Sequence, residues 1–424
     1  MRPIAGSRHV LLVTLVLALA ALSGEGLWPR VAWGQGELFA ANLNGGAILV
    51  HSRTANGNVS PIRRLSGAAT GLVSASGAAV DTVNNELVVA QATSIRVYPL
   101  RAGGDIAPIR TISGAATGLS GLSGIAVDTV NDELVVGNSN VGTITVHSRT
   151  ASGNIAPLRT ITGVNNVRGV VVDTVNNELL VANFLGSILV YPRTANGSAA
   201  PIRTLAGPST GLAGTFNLVV DTASNELVVT NRANASVTVY PRTATGNTAP
   251  IRTIAGASTG LSNPTGLTLD TGNNELAVTN DNDTITVYAR TASGNVAPIR
   301  MLAGAATGLA DPLVLAALPE RTRDFNGDRR ADILWRHSSG TLAQWYMDGD
   351  SVLGTSLLGN VATEWSIAGV GDFNGDGRGD FLWRHTSGTV AIWLMSGTAV
   401  LGTQVLASVG NEWAILGVSD FDGD

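Results

Sequence analysis

Apolar and polar residues alternate in short runs along most of the chain, and the runs return in a fixed order. ILVHSRTA (48–55) comes back as IRVYPLRA, ITVHSRTA, ILVYPRTA, VTVYPRTA and ITVYARTA. A period of two over such a length predicts half-buried strands. VDTVNNELVVA (80–90) is echoed at 125–138, 170–183, 219–231 and 267–280, each copy with an Asp-Thr turn segment between two apolar runs. Asp and Asn accept hydrogen bonds from nearby amides and tolerate left-handed backbone, so this phrase predicts a β-hairpin. A shorter element, PIRRL (61–65), is echoed as PIRTI, PLRTI, PIRTL, PIRTI and PIRML. Each unit therefore holds four short strands.

The turn aspartates Asp81, Asp128, Asp173, Asp221 and Asp270 set a period of 45–49 residues. A lone four-stranded sheet cannot bury both faces, but copies packed around an axis can. Three of the four strand types occur six times if GELFA (36–40) is the first copy of the NELVV strand. The GxAVD strand occurs five times, and a less faithful sixth copy, PLVLAAL (312–318), stands at the far end. The expected fold is all-β: a six-bladed β-propeller over 35–319, closed by a split blade that joins its two ends.

The PIR element is expected to be the outer strand. Pro61, Pro108, Pro157, Pro201, Pro250 and Pro298, with Arg63, Arg110, Arg159, Arg203, Arg252 and Arg300, suit an exposed edge that resists sheet-to-sheet pairing. The same arginines could instead bind an acidic polymer. Asn42, Gln91, Asn138, Asn183, Asn231 and Asn280 end the second strands. They either close their own turns as Asx motifs or form a ligand-facing ring of amides for a sugar or peptide. These repeats resemble NHL-type and YncE-like propeller repeats over roughly 36–318, with Asn or Gln where NHL repeats usually place aspartate.

After Pro319 the composition changes and tryptophan becomes frequent. DFNGDRRADILWRHSSGTLAQWYMDG (324–349) aligns with DFNGDGRGDFLWRHTSGTVAIWLMSG (372–397), a period of 48 residues, and DFDGD (420–424) begins a third copy. Asp324, Asn326, Asp328 and Asp332 place oxygen ligands at loop positions 1, 3, 5 and 9, with the Arg330 carbonyl at 7. Asp372, Asn374, Asp376, Asp380 and the Arg378 carbonyl repeat the set. Hard oxygen donors at this spacing can wrap calcium. Gly377 suits the bend at position 6; Arg329 stands there in the first loop. The tail, 320–424, resembles FG-GAP/VCBS repeats, a resemblance that implies structural calcium. Its incomplete third copy suggests a piece of a longer module. Arg378-Gly379-Asp380 spells an adhesion tripeptide, but Asp380 is already the expected ligand.

The chain has 424 residues and no cysteine. Disulfides, thiolate zinc sites, cysteine nucleophiles and a cysteine-linked lipid anchor are excluded. All basic residues are arginines, so lysine Schiff-base chemistry is excluded as well. A net charge of −5 argues against nucleic acid as a partner. Arg2 and Arg8 precede an apolar run, Val10 to Leu22, and then small residues. This order marks a signal peptide within 1–34, cleaved after Ser23 or Gly34, and leaves no membrane span in the mature chain; an uncleaved anchor is the alternative. The expected product is secreted, periplasmic or held at the cell surface.

Near-perfect repetition points to a non-enzymatic binding or scaffold protein with a protein or glycan partner. The alternative is a lactonase-like hydrolase or lyase with an axial metal, which would need one blade to depart from the rest. The departures are Asn166, Arg168, Phe184, Arg232, Asp281, Asp283 and Asp311. They contain no histidine to serve as a base.

Overall fold

A computed structural model describes residues 36–222, 224–270, 274–318, 324–326, 332–348, 351–371, 373 and 378–415. The leader expected within 1–34 and the third tail copy at 420–424 lie outside them. Among the described residues of 36–318 the chain forms six four-stranded antiparallel sheets, each built from one repeat. In the second sheet the strands Gly77–Asp81, Glu86–Gln91, Ser94–Pro99 and Arg110–Ser113 lie side by side in chain order. The expected hairpin joins the first two. Asp81 Oδ1 accepts the amides of Val83 and Asn84, both at 3.0 Å, and Asn85 closes the turn at φ 57°. Asp128 and Asp173 repeat this, with Asp132 and Asn177 in the left-handed position.

The first sheet is assembled from both ends of the array. Pro312–Leu318 pairs antiparallel with Glu37–Asn42, placing Phe39 opposite Ala316 and Ala40 opposite Leu315. Ala47–Ser52 and Arg63–Leu65 complete that sheet. The six first strands neighbour one another in a closed cycle. Parallel bridges join every sheet to the next, from Leu65↔Gly104 round to Gly57↔Leu302. The arrangement is propeller-like.

Hydrophobic layers lie between sheets, which is how each sheet buries two faces. Val88, Ile95, Val97 and Ile112 of the second sheet pack with Leu122, Ile125, Leu134 and Val136 of the third. At the junction of the sixth and first sheets, Ala277, Ile285, Val287 and Leu302 meet Leu38, Ala40 and Leu49. Full burial of one such Val, Leu or Ile side chain stabilises by about 1.5–3 kcal/mol. The first strands come closest at glycine: a Cβ on Gly124 would stand 2.4 Å from the Arg168 carbonyl oxygen.

The repeat arginines serve a different purpose from edge decoration. Each PIR arginine forms a bidentate ion pair with the glutamate opening the second strand of its own sheet: Arg63–Glu37, Arg110–Glu86, Arg159–Glu133, Arg203–Glu178, Arg252–Glu226 and Arg300–Glu275. Most of these also donate onward; Arg159 reaches the Arg193 carbonyl of the next sheet at 2.8 Å. The second arginine of each unit crosses to the turn aspartate of the preceding sheet: Arg149–Asp81, Arg193–Asp128, Arg242–Asp173, Arg290–Asp221 and Arg53–Asp270. The fork geometry of guanidinium suits carboxylate.

The tail forms a three-stranded sheet, Ile333–Arg336, Thr341–Asp348 and Ser351–Asn360, and a four-stranded sheet from Trp365–Gly371 to Ala399–Ser408. Its two copies repeat local contacts: Trp335 lies 4.9 Å from Trp345, and Trp383 lies 5.0 Å from Trp393. Phe325 of the first copy packs edge-on against Phe381 of the second, within one core.

Candidate functional site

The position after each terminal amide carries a different residue in every sheet: Leu43, Ala92, Ser139, Phe184, Arg232 and Asp281. These positions follow the second strands, at the end where the first strands begin, so they surround one mouth of the ring. The backbone there is tightly specified. Phe184 N donates to the Asn166 carbonyl at 3.0 Å, Arg232 N to Gly214 at 3.1 Å and Asp281 N to Ser262 at 3.1 Å. A rigid, repeated backbone thus presents side chains that do not repeat.

The departures seen singly in the sequence come together here. Arg168 stands early in the first strand of the fourth sheet, its guanidinium carbon 4.9 Å from the Phe184 ring centre and 5.7 Å from that of Phe216. Arg232 flanks Phe216 at 5.6 Å and grips Asp281 Oδ2 through Nε at 3.1 Å and a terminal nitrogen at 2.5 Å. Asp283 Oδ1 accepts the Asp311 amide at 2.7 Å. Burial and then the Arg232 cation lower the Arg168 pKa from its ordinary value. Burial, followed by Asp281, raises that of Asp311, with Arg232 opposing and Asp283 adding. The mouth therefore holds two arginines against aromatic rings, one of them, Arg232, joined to a group of three carboxylates. Phe216 escaped the sequence reading because a phenylalanine inside a strand pattern reads as core.

The terminal amides mostly hydrogen-bond to the connecting loops, and Asn183 also makes an expected Asx contact. Asn42, Gln91, Asn138, Asn231 and Asn280 are buried and Asn183 is half-buried. Most tie the connecting loop eighteen residues upstream: Asn138 Oδ1 accepts the Ser120 amide at 3.0 Å and Asn280 Oδ1 that of Ser262 at 3.0 Å. Gln91 holds Val73 in the same way at 3.0 Å, and Asn231 holds Ala213 at 3.3 Å. Asn183 donates to the Asn165 carbonyl at 2.9 Å and also makes an Asx contact with the Leu185 amide. Asn42 donates to the Gly308 carbonyl at 2.9 Å. These groups shape the mouth by fixing its loops.

Of the calcium-ligand candidates, Asp324, Asn326, Asp332, Arg378 and Asp380 are described; Asp328, Arg330, Asp372, Asn374 and Asp376 lie outside the described residues. Asp380 is fully buried and clamps its loop, accepting the Phe373 amide on Oδ2 at 2.8 Å and the Met395 amide on Oδ1 at 2.6 Å. Asp332 does the same with Phe325 and Met347 at 2.8 and 3.0 Å. Asp332 and Asp380 are hard oxygen donors, the ligand type that calcium takes. Gly379 N donates to the Asp324 carbonyl at 2.8 Å, which links the two loops. With Asp380 buried, the Arg-Gly-Asp tripeptide is not displayed.

Residues 324–383 match the family model of the FG-GAP-like repeat. No curated protein matches the chain. Among solved structures the chain is similar to one titled "Crystal structure of Nidogen/Laminin Complex", at 17% identity and a TM-score of 0.48, covering 66% of this chain and 98% of that one. No helix among the described residues is long and apolar enough to cross a membrane.

Proposed function

We propose that this chain is an exported, non-catalytic binding protein. Its platform is a six-bladed propeller closed by the split first sheet, and its partner, a protein or a glycan, engages the asymmetric mouth. The observation that carries this reading is the convergence of Arg168, Phe184, Phe216, Arg232 and Asp281 at one end of an otherwise repetitive ring. A scaffold alone has no need to break its symmetry, and breaking it only where loops are held rigid is what a recognition surface requires.

The C-terminal repeats are stabilised by calcium in this reading. Asp324, Asn326, Asp328, Asp332 and the Arg330 carbonyl, with Asp372, Asn374, Asp376, Asp380 and the Arg378 carbonyl, would supply the oxygen ligands, Asp332 and Asp380 also accepting loop amides. When bound, the ion would offset the repulsion among these carboxylates.

Screening the chain residues 35–424 against glycan and peptide arrays tests the platform. Hits lost on F184A, with melting unchanged, are the expected result. Hits that survive this change, or arrays with no hit, would place recognition elsewhere and remove the reading.

A further inference from the structure

The cluster at the mouth contains one cation that its surroundings do not balance. The repeat arginines named above each have a carboxylate within 3.3 Å or less. Arg168 makes no hydrogen bond or ion pair among the described residues, and its Nε is buried without a partner. The nearby Asp281 is held by two hydrogen bonds from Arg232. At the corresponding place the other sheets carry Ser76, Ser123, Phe216, Thr265 and Leu313. Two of these fasten neighbouring first strands: Ser123 Oγ donates to the Val167 carbonyl at 2.9 Å, and Thr265 Oγ1 to the Pro312 carbonyl at 2.7 Å. Arg168 gives up that fastening role.

We infer that Arg168 receives the carboxylate of a small monoanionic ligand whose ring or apolar body lies on the half-buried Phe184. A half-buried guanidinium held against two aromatic faces is already partly desolvated and oriented, so little ordering remains to be done when an anion arrives. A carboxylate matches its paired donors in plane and spacing. The Phe184 ring supplies the flat apolar contact that such a ligand's body needs, with the buried Phe216 backing the guanidinium. Charge also selects against more highly charged anions: Asp281, Asp283 and Asp311 gather near Arg232 and repel a phosphate dianion more strongly than a monocarboxylate. This inference rests on the reading of the mouth as the binding site, and it names the ligand's chemistry.

The test is titration of the chain residues 35–424 with benzoate, glucuronate, glucose and inorganic phosphate. Calorimetry gives affinity, and the Arg168 Nε–Hε nuclear magnetic resonance signal, assigned by its loss in R168Q, reports the atom concerned. Saturable binding of benzoate or glucuronate that shifts this signal, exceeds phosphate affinity and weakens by about tenfold or more in R168Q is expected. R168M, which keeps the aliphatic stem against the rings, should show the same loss and guards against a folding artefact in R168Q. Carboxylate binding that is indifferent to both variants, or phosphate binding tighter than either carboxylate, overturns the inference. Glucose binding that depends on Phe184 but not on Arg168 would overturn it while leaving the mouth as a site. No saturation by any of the four probes below about 10 mM also overturns it; the array result then decides separately on the mouth.

Discussion

Leu100 and Leu318 occupy, on the second and first sheets, the two places that hold an arginine and an aspartate at the other five junctions. Leu318 pairs with Glu37 in the register in which Asp81 pairs with Glu86. Leu100 stands where Arg53 and Arg149 stand in their repeats, fully buried in the core cluster beside Tyr98 and Leu87. Both halves of the ion pair are replaced together, at the one junction where the chain's ends meet. Losing one half would leave a buried charge unmatched; losing both leaves no charge to desolvate, which is often as stable.

A double-mutant cycle at that junction should therefore show strong coupling. L100R alone buries an unpaired cation and is expected to cost about 3–5 kcal/mol. L318D added to it should recover about 1 kcal/mol or more, well beyond additivity. Denaturant unfolding of the four proteins measures this; strictly additive costs would show that the two places do not communicate.

Two buried histidines make the ring sensitive to acid. His51 and His147 hold the place that Tyr98, Tyr240 and Tyr288 hold in three other sheets, where each hydroxyl donates to a threonine carbonyl at 2.5–2.6 Å. Burial pushes both imidazoles down to about 4, with the Thr307 backbone partly opposing this at His51. Since the folded pKa lies below the unfolded one, the neutral rings are fully accommodated above pH 6.5, and stability falls as pH drops from there towards 4. The loss should approach about 3 kcal/mol per histidine at the acid end. The H51Y/H147Y protein should show a flatter stability profile between pH 7 and 4.5, measured by urea unfolding.

The bidentate pairs should not tolerate lysine. Arg159 uses one terminal nitrogen on Glu133 and shares the other between Glu133 and the Arg193 carbonyl. R159K keeps the charge but not the fork, and should cost about 1–2 kcal/mol. A melting temperature equal to that of the parent would mean that charge alone suffices.

Calcium and the clamp aspartates should separate in the tail. D376N is expected to abolish the calcium dependence of tail melting while leaving its chelated stability unchanged. D380A removes acceptors for two buried amides and should lower stability by about 2–4 kcal/mol with or without calcium. Melting in chelator and in millimolar calcium distinguishes the two.

The repeat was legible because its signals are local. Asp-Thr turns, alternating strands and the offset between GELFA and PLVLAAL all act over a few residues or through simple counting. The fate of the arginines was hidden because Arg149 finds Asp81 only when neighbouring sheets stand side by side, a relation no local pattern encodes. Arg168, Phe184, Arg232, Asp281 and Asp311 stood out as departures, but only the circular topology gathers residues so far apart in sequence. Lining up the six residues that follow the terminal amides would have drawn attention to that mouth, since no two are alike. Phe216 gave no comparable signal.

The pairing of Glu37–Asn42 with Pro312–Leu318 also sets the order in which the protein matures. During synthesis the first of these strands emerges early and waits for a partner made after every other sheet of the ring. Until then it carries an open edge able to accept the equivalent strand of another molecule. Bringing together segments this distant in sequence is slow. Crowded, newly made chains should therefore be most vulnerable to exchanging partners at this last step.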